Sequence, residues 1–260
     1  MPSSKRNERL SLILATLQAS PDASIRELSG QLGVSEMTIR RDLEELAAEN
    51  KVRLVHAAAI PVGGRGGGLH AGFSLAAEGA DGAAEKMRIG RKAASLIEQG
   101  DVVIIDSGVT TEWLAHSIPP EMPATIICFA LNILLEAARG GAREVVLAGG
   151  ALRGDSLVFQ SPEGVSLVRR YRATKAFLSA DAVSDRLGVT CEDSAEADLK
   201  KAAIASAQTR ILLVDSTKFG RVSPAWFAEL SDFDAIITDA GVSLEYVELV
   251  RQRGIALHVV

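Results

Sequence analysis

Cysteine is nearly absent from this chain of 260 residues: Cys128 and Cys191 stand far apart. Neither carries metal-ligand spacing or a histidine pattern, which excludes a cysteine-built metal site and suits reduced residues of a cytoplasmic protein. No cofactor or metal is implied. Long apolar runs are missing as well, and none approaches the ~20 residues that cross a bilayer. Met1 to Ser20 spaces its apolar residues helically among charges, unlike a secretion signal. A basic surplus is also lacking, since 28 Lys and Arg face 33 Asp and Glu for a net charge of −5. Residues 1–60 hold 8 charges of each sign. Any polyanionic partner must therefore be met by the placement of cations rather than by their number. The 47% hydrophobic and 23% charged content is that of an ordinary folded chain, and the length suits one small and one larger domain.

What is present begins with Val34 to Leu46. Ser35 is a good N-cap, because its hydroxyl can accept from a first-turn amide. Ile39, Leu43 and Leu46 recur at helical spacing and define a buried face. That burial turns Thr38, Arg40 and Arg41 outward near the helix start, where a recognition helix meets base edges and phosphates. Upstream, Ser24-Ile25-Arg26-Glu27 has the form of a capping box, Ile25, Leu28 and Leu32 form a stripe, and Gly33 closes the segment. Two short helices about a Gly-Val turn have helix-turn-helix spacing. Leu10, Ile13, Leu14 and Leu17 supply a further helix, and Asn50 ends the recognition helix. Lys51 to His56 reads as a wing strand with basic residues outward. Residues 1–60 are thus expected to form a winged helix-turn-helix that meets DNA through Ser35, Met37, Thr38, Arg40, Arg41 and Arg53. A neutral module makes few phosphate contacts and binds weakly alone, so a homo-oligomer, dimer or tetramer, is expected to read repeated half-sites.

The run Leu32 to Leu46, centred on Thr38-Ile39-Arg40-Arg41-Asp42-Leu43, resembles the N-terminal signature of the DeoR family of bacterial transcriptional regulators. That family usually follows the wing strand with His-Gly-Gly-Ala, whereas this chain has His56-Ala57-Ala58-Ala59. Alanine takes positive φ at a cost, so a differently shaped wing tip is expected.

Pro61 to Gly82, with Gly63-Gly64-Arg65-Gly66-Gly67-Gly68 inside it, reads as a linker. It lacks the preceding strand and following Lys-Ser/Thr of a nucleotide-phosphate loop. Residues 83–260 then alternate helical segments with short apolar runs at 102–105, 125–127, 145–147, 176–178, 211–214, 235–237 and 255–260. The pattern predicts an α/β domain on a mostly parallel sheet. Ligands bind such sheets at the carboxyl ends of strands, and three of those ends carry chemistry. Asp106-Ser107-Gly108-Val109-Thr110-Thr111 is a small hydroxyl-rich loop opening a helix, suited to phosphate. Asp215 to Gly220 offers Lys218 as a full positive charge, and Asp181 can accept from hydroxyls. Each alone is equally a cap, a surface lysine or a turn aspartate; together they fit an anionic polyol.

Asp106 to Thr111, Gly149-Gly150 and Val214 to Gly220 also resemble the effector domain of the DeoR family, which is related in fold to sugar-phosphate isomerases. The resemblance implies a phosphorylated sugar as inducer of a repressor of carbohydrate catabolism. It implies that Ser107–Thr111 and Lys218 grip the phosphate, with Asp106, Asp181, Phe129 and Arg153 completing the effector set. Where the family often has Thr-Asn this chain has Cys128-Phe129, and Gln160-Ser161-Pro162 replaces the usual Val-Gly-Pro. The expectation is an altered sugar pocket behind a retained phosphate grip. The alternative is an isomerase-like enzyme with an appended DNA-binding domain. Against it, the stretch Gly188 to Ser194 reads as an acidic loop without lysine, which opposes a developing enediolate. A purely architectural protein would leave Lys218 and the phosphate-type loop without a role.

Overall fold

A computed structural model of the chain describes residues 3–19, 25–48, 52–55, 58–61, 82–122, 124–140, 142–154 and 156–260. The chain divides into two compact units, Met1–Asp81 and Gly82–Val260. Of the expected linker, Pro61 ends the strand Ala58–Pro61 and Gly82 caps the helix Ala83–Ala94; residues 62–81, the Ser24 end of the capping box, Asn50, Lys51 and the wing-tip residues His56 and Ala57 lie outside the described residues.

In the first unit α1 (Ser3–Ala19), α2 (Ile25–Leu32) and α3 (Glu36–Ala48) pack through Leu10, Ile13, Leu17, Leu28, Ile39, Leu43 and Leu46, all buried. These are the stripes that the helical periodicity marked. Gly33, at φ 63, ends α2 in the left-handed conformation that glycine adopts without a Cβ penalty. Ser35 caps α3 by accepting from the Thr38 amide at 3.2 Å. Strand β1 (Val52–Val55) pairs antiparallel with β2 (Ala58–Pro61) to make a two-stranded wing.

The second unit runs α4 (Ala83–Ala94), β3 (Val102–Ile105), α5 (Val109–His116), β4 (Thr125–Cys128), α6 (Leu131–Arg139) and β5 (Glu144–Leu147). A small hairpin, β6 (Ala151–Leu152) with β7 (Phe159–Gln160), precedes α7 (Pro162–Arg170) and β8 (Ala173–Ser179). Then come β9 (Ala182–Ser184), β10 (Gly188–Cys191), α8 (Ser194–Ser206), β11 (Ala207–Leu213), β12 (Ala225–Ala228), β13 (Ala235–Thr238), α9 (Leu244–Gln252) and β14 (Ala256–Val259). Seven strands form one parallel sheet in the order β14-β13-β11-β8-β3-β4-β5. All seven coincide with the apolar runs; the inner strands are apolar because both of their faces are covered, while the edge strands β5 and β14 are only partly buried. From β3 the chain steps one way to β4 and β5, then returns to the other side of β3 for β8, β11, β13 and β14. The order therefore reverses between β3 and β8, and right-handed crossovers put α5 and α6 on one face and α8 on the other.

A second, three-stranded antiparallel sheet, β12-β10-β9, has no counterpart in the sequence reading. Gly188 to Cys191, expected within an acidic loop, is strand β10 and is buried throughout; only Glu192 and Asp193 remain between it and α8. The polar Thr190 hides there because its hydroxyl accepts from the Ser223 amide at 2.8 Å.

Candidate functional site

The first unit presents its cations from α3. Arg40 and Arg41 are exposed, and neither has an ion-pair partner among the described residues. Met37 is 75% exposed beside them, and Thr38 and Ser35 share a hydroxyl–hydroxyl bond of 2.9 Å. Arg53 lies on β1, opposite Ile60. Behind this face Asp42 is 2% exposed and receives two bonds from Arg9, at 2.5 and 3.1 Å, which tie α1 to α3. Arg6, Arg9, Met37, Thr38, Arg41 and Asp42 line a surface hollow of about 370 Å³. Unpaired arginines at the start of a helix, framed by a wing, are equipped to meet phosphates and base edges.

In the second unit the topology brings the three chemically loaded strand ends together, since β3, β8 and β11 are consecutive neighbours. Gly108 precedes α5 with φ 109, a backbone that strains any other residue, and a Cβ there would meet Ser179 Oγ at 3.4 Å. No side chain caps α5, so its first-turn amides and dipole point free toward the strand ends. Thr111 donates its hydroxyl to Gly108 O at 3.0 Å and stiffens the loop. Asp215 holds the three-residue turn Ser216–Lys218 by accepting from the Thr217 amide at 3.0 Å. Lys218, half-buried on that turn, has no ion-pair partner among the described residues. Asp181, after β8, is exposed and accepts from the Glu192 amide at 3.0 Å.

Three expected members are placed differently. Asp106 is wholly buried, so it acts on the site through others. Phe129 is likewise enclosed, and its carbonyl accepts from the Phe159 amide at 2.8 Å; no ring face is open to a ligand in this conformation. Arg153 is exposed at the β6–β7 hairpin, and its charge helps hold the Asp193 carboxyl below the usual range, after the Gln160 and Ala195 hydrogen bonds. Ser161, one of the departures from the family pattern, caps α7 through the Gly164 amide at 2.8 Å and donates to Gly149 O at 2.8 Å.

The sequence reading missed a buried charge cluster. Lys200 on α8 is 1% exposed and reaches Asp106 Oδ2 at 2.5 Å, Glu196 Oε1 at 3.0 Å and Ser179 O at 3.2 Å. Asp106 Oδ2 also accepts from the Ser179 amide at 2.7 Å, and Ser107 donates to Glu196 Oε1 at 2.8 Å. Burial opposes the Lys200 charge, but the carboxylates of Asp106 and Glu196 outweigh it and hold the ammonium above the ordinary lysine range. Desolvation lifts the Asp106 carboxyl, with Lys200 pulling against it. The only sequence signal was Glu196 and Lys200 four apart on an alanine-rich helix, a spacing that usually marks a solvated pair.

A winged helix-turn-helix with exposed arginines and a separate α/β unit whose loaded strand ends meet at a reversal of strand order define a class: a regulator that senses a small molecule. Residues 9–61 match the DeoR-like helix-turn-helix domain and residues 81–240 the DeoR C terminal sensor domain. The chain is 31% identical to the deoxyribose operon repressor of Escherichia coli K12 over 97% of this chain and 98% of that protein. It is 29% identical to the transcriptional regulator GlpR of Haloferax volcanii over 96% of each. Among solved structures, ribose 5-phosphate isomerase A of Methanocaldococcus jannaschii aligns with a TM-score of 0.38 at 16% identity, covering 52% of this chain and 53% of that one. This chain belongs to the DeoR family of helix-turn-helix transcriptional regulators. Its curated relatives are named as regulators rather than enzymes. Among the described residues no helix is long and apolar enough to cross a membrane.

Proposed function

We propose that this protein is a cytoplasmic repressor of a carbohydrate-catabolism operon, released from its operator by a phosphorylated sugar bound at the β3–β8 reversal. The observation that carries the reading is the uncapped α5 start and the Asp215–Lys218 turn, two anion-seeking features at the carboxyl ends of strands of one sheet. Phosphate would sit on the Gly108–Thr111 amides, with Lys218 closing on it from two strands away. Asp181 is left to accept from sugar hydroxyls. Ser35, Met37, Thr38, Arg40, Arg41 and Arg53 would meet the operator. Support for the repressor role comes from the relatives' names, which include an operon repressor for deoxyribose. A homo-oligomer, dimer or tetramer, would pair the neutral modules on repeated half-sites, since each alone neutralises few phosphates.

The test is operator binding followed by fluorescence anisotropy while sugar phosphates and their unphosphorylated sugars are titrated in. At least one sugar phosphate should release the DNA and its parent sugar should not. Lys218→Ala should bind operator normally and ignore that compound. Equal release by phosphorylated and plain sugars, or retained induction in Lys218→Ala, contradicts the assignment.

A further inference from the structure

We propose that Glu196 is a resident anion that the effector's phosphate must displace, so that it holds the site's affinity for phosphate below what the α5 start and Lys218 alone would give. This rests on the phosphate reading given above. The cluster holds one cation and two carboxylates. Lys200 and Asp106 already satisfy each other, with Ser179 supplying a carbonyl to the one and an amide to the other. Glu196 is surplus to that pair and leaves the cluster one negative charge in excess. It is also the member with a way out: Glu196 is 14% exposed, against 1% for Lys200 and 0% for Asp106.

Its position gives the surplus charge a use. The Ser107 hydroxyl that Glu196 engages belongs to the residue just before the Gly108 cap of α5. A phosphate on the α5 amides would therefore face the Glu196 carboxylate across Ser107, where two partly buried like charges repel. Glu196 stands in the first turn of α8 (Ser194–Ser206), so a side-chain rotation carries it outward without unpacking the helix. The Ser107 hydroxyl is then free for a phosphate oxygen, and Lys200 keeps Asp106. A dianion compensates for the displaced carboxylate through its own attraction to the α5 start and Lys218. A neutral sugar brings no such attraction and leaves Glu196 in place.

The experiment titrates inorganic phosphate into the full-length wild type, Glu196→Gln and Glu196→Ala by calorimetry, with Lys218→Ala as reference. Removing the competing charge should tighten phosphate binding about tenfold in both Glu196 variants. Two substitutions guard against one that fails to fold. Unchanged or weaker binding in both, with binding lost in Lys218→Ala, overturns the displacement while the phosphate site stands. No uptake by wild type or by either Glu196 variant, even at millimolar phosphate, removes the phosphate site and the displacement with it.

Discussion

The two units solve the placement of charge in opposite ways. In the helix-turn-helix, Arg40 and Arg41 are exposed on a single helix, unpaired among the described residues and turned outward by the burial of Ile39, Leu43 and Leu46. In the sensor, Lys200 is buried and neutralised before any ligand arrives, by Asp106 ninety-four residues earlier and by Glu196 on its own helix. A polyanion as large as DNA binds exposed cations that stay hydrated until contact. A small ligand needs a site fixed by partners that topology alone can bring together. Asp42 with Arg9 shows that the small unit also uses pairing, though there to hold two helices rather than to shape a pocket.

The comparison would break first at Lys200. Lys200→Ala strands Asp106 and Glu196 together in a buried space, and the loss of one partner of a buried pair costs about 3–5 kcal/mol. Chemical denaturation should show that loss in the transition of residues 82–260. A loss under 1 kcal/mol would mean that water or a shifted pKa relieves the cluster, and the contrast between the units would fail. Next in size is Arg41→Ala. Exposed and unpaired, it should leave stability within about 0.5 kcal/mol, weaken operator binding about tenfold and flatten the salt dependence by about one phosphate contact. Effector binding should not change, and a change in both would contradict the division of labour. The smallest effect concerns Asp234, whose carboxyl the Arg210 hydrogen bonds hold below its ordinary pKa of 3.8. A depressed aspartate stabilises the fold fully above the unfolded value, and the contribution fades as pH falls through the folded one. The melting temperature of wild type should therefore drop more steeply below about pH 4 than that of Arg210→Ala, whereas parallel curves would show the pair to be screened.

Much of this was legible in the chain, for identifiable reasons. Ile39, Leu43 and Leu46 betray α3 because helix burial repeats locally, and the inner strands of the parallel sheet announce themselves because both of their faces are covered. Strand β10 escaped because Gly188, Val189, Thr190 and Cys191 make no apolar run; its burial comes from pairing with β9 and β12, which are distant or too short to read. The loop Ser107–Thr111 was visible as composition, and its neighbours at Ser179 and Lys218 became a site only through the strand order. Lys200 was invisible for the same reason. A lysine on an alanine-rich helix looks solvated until the fold sets a buried aspartate beside it.

In the proposed switch, effector and operator compete through one equilibrium, and linkage makes the coupling reciprocal: each ligand must weaken the other by the same factor. The most direct measurement is the affinity of full-length protein for its releasing sugar phosphate, with and without saturating operator DNA. Operator should weaken the sugar phosphate by the factor with which the sugar phosphate weakens operator, about 5- to 150-fold. Identical affinity in the presence and absence of operator would contradict it.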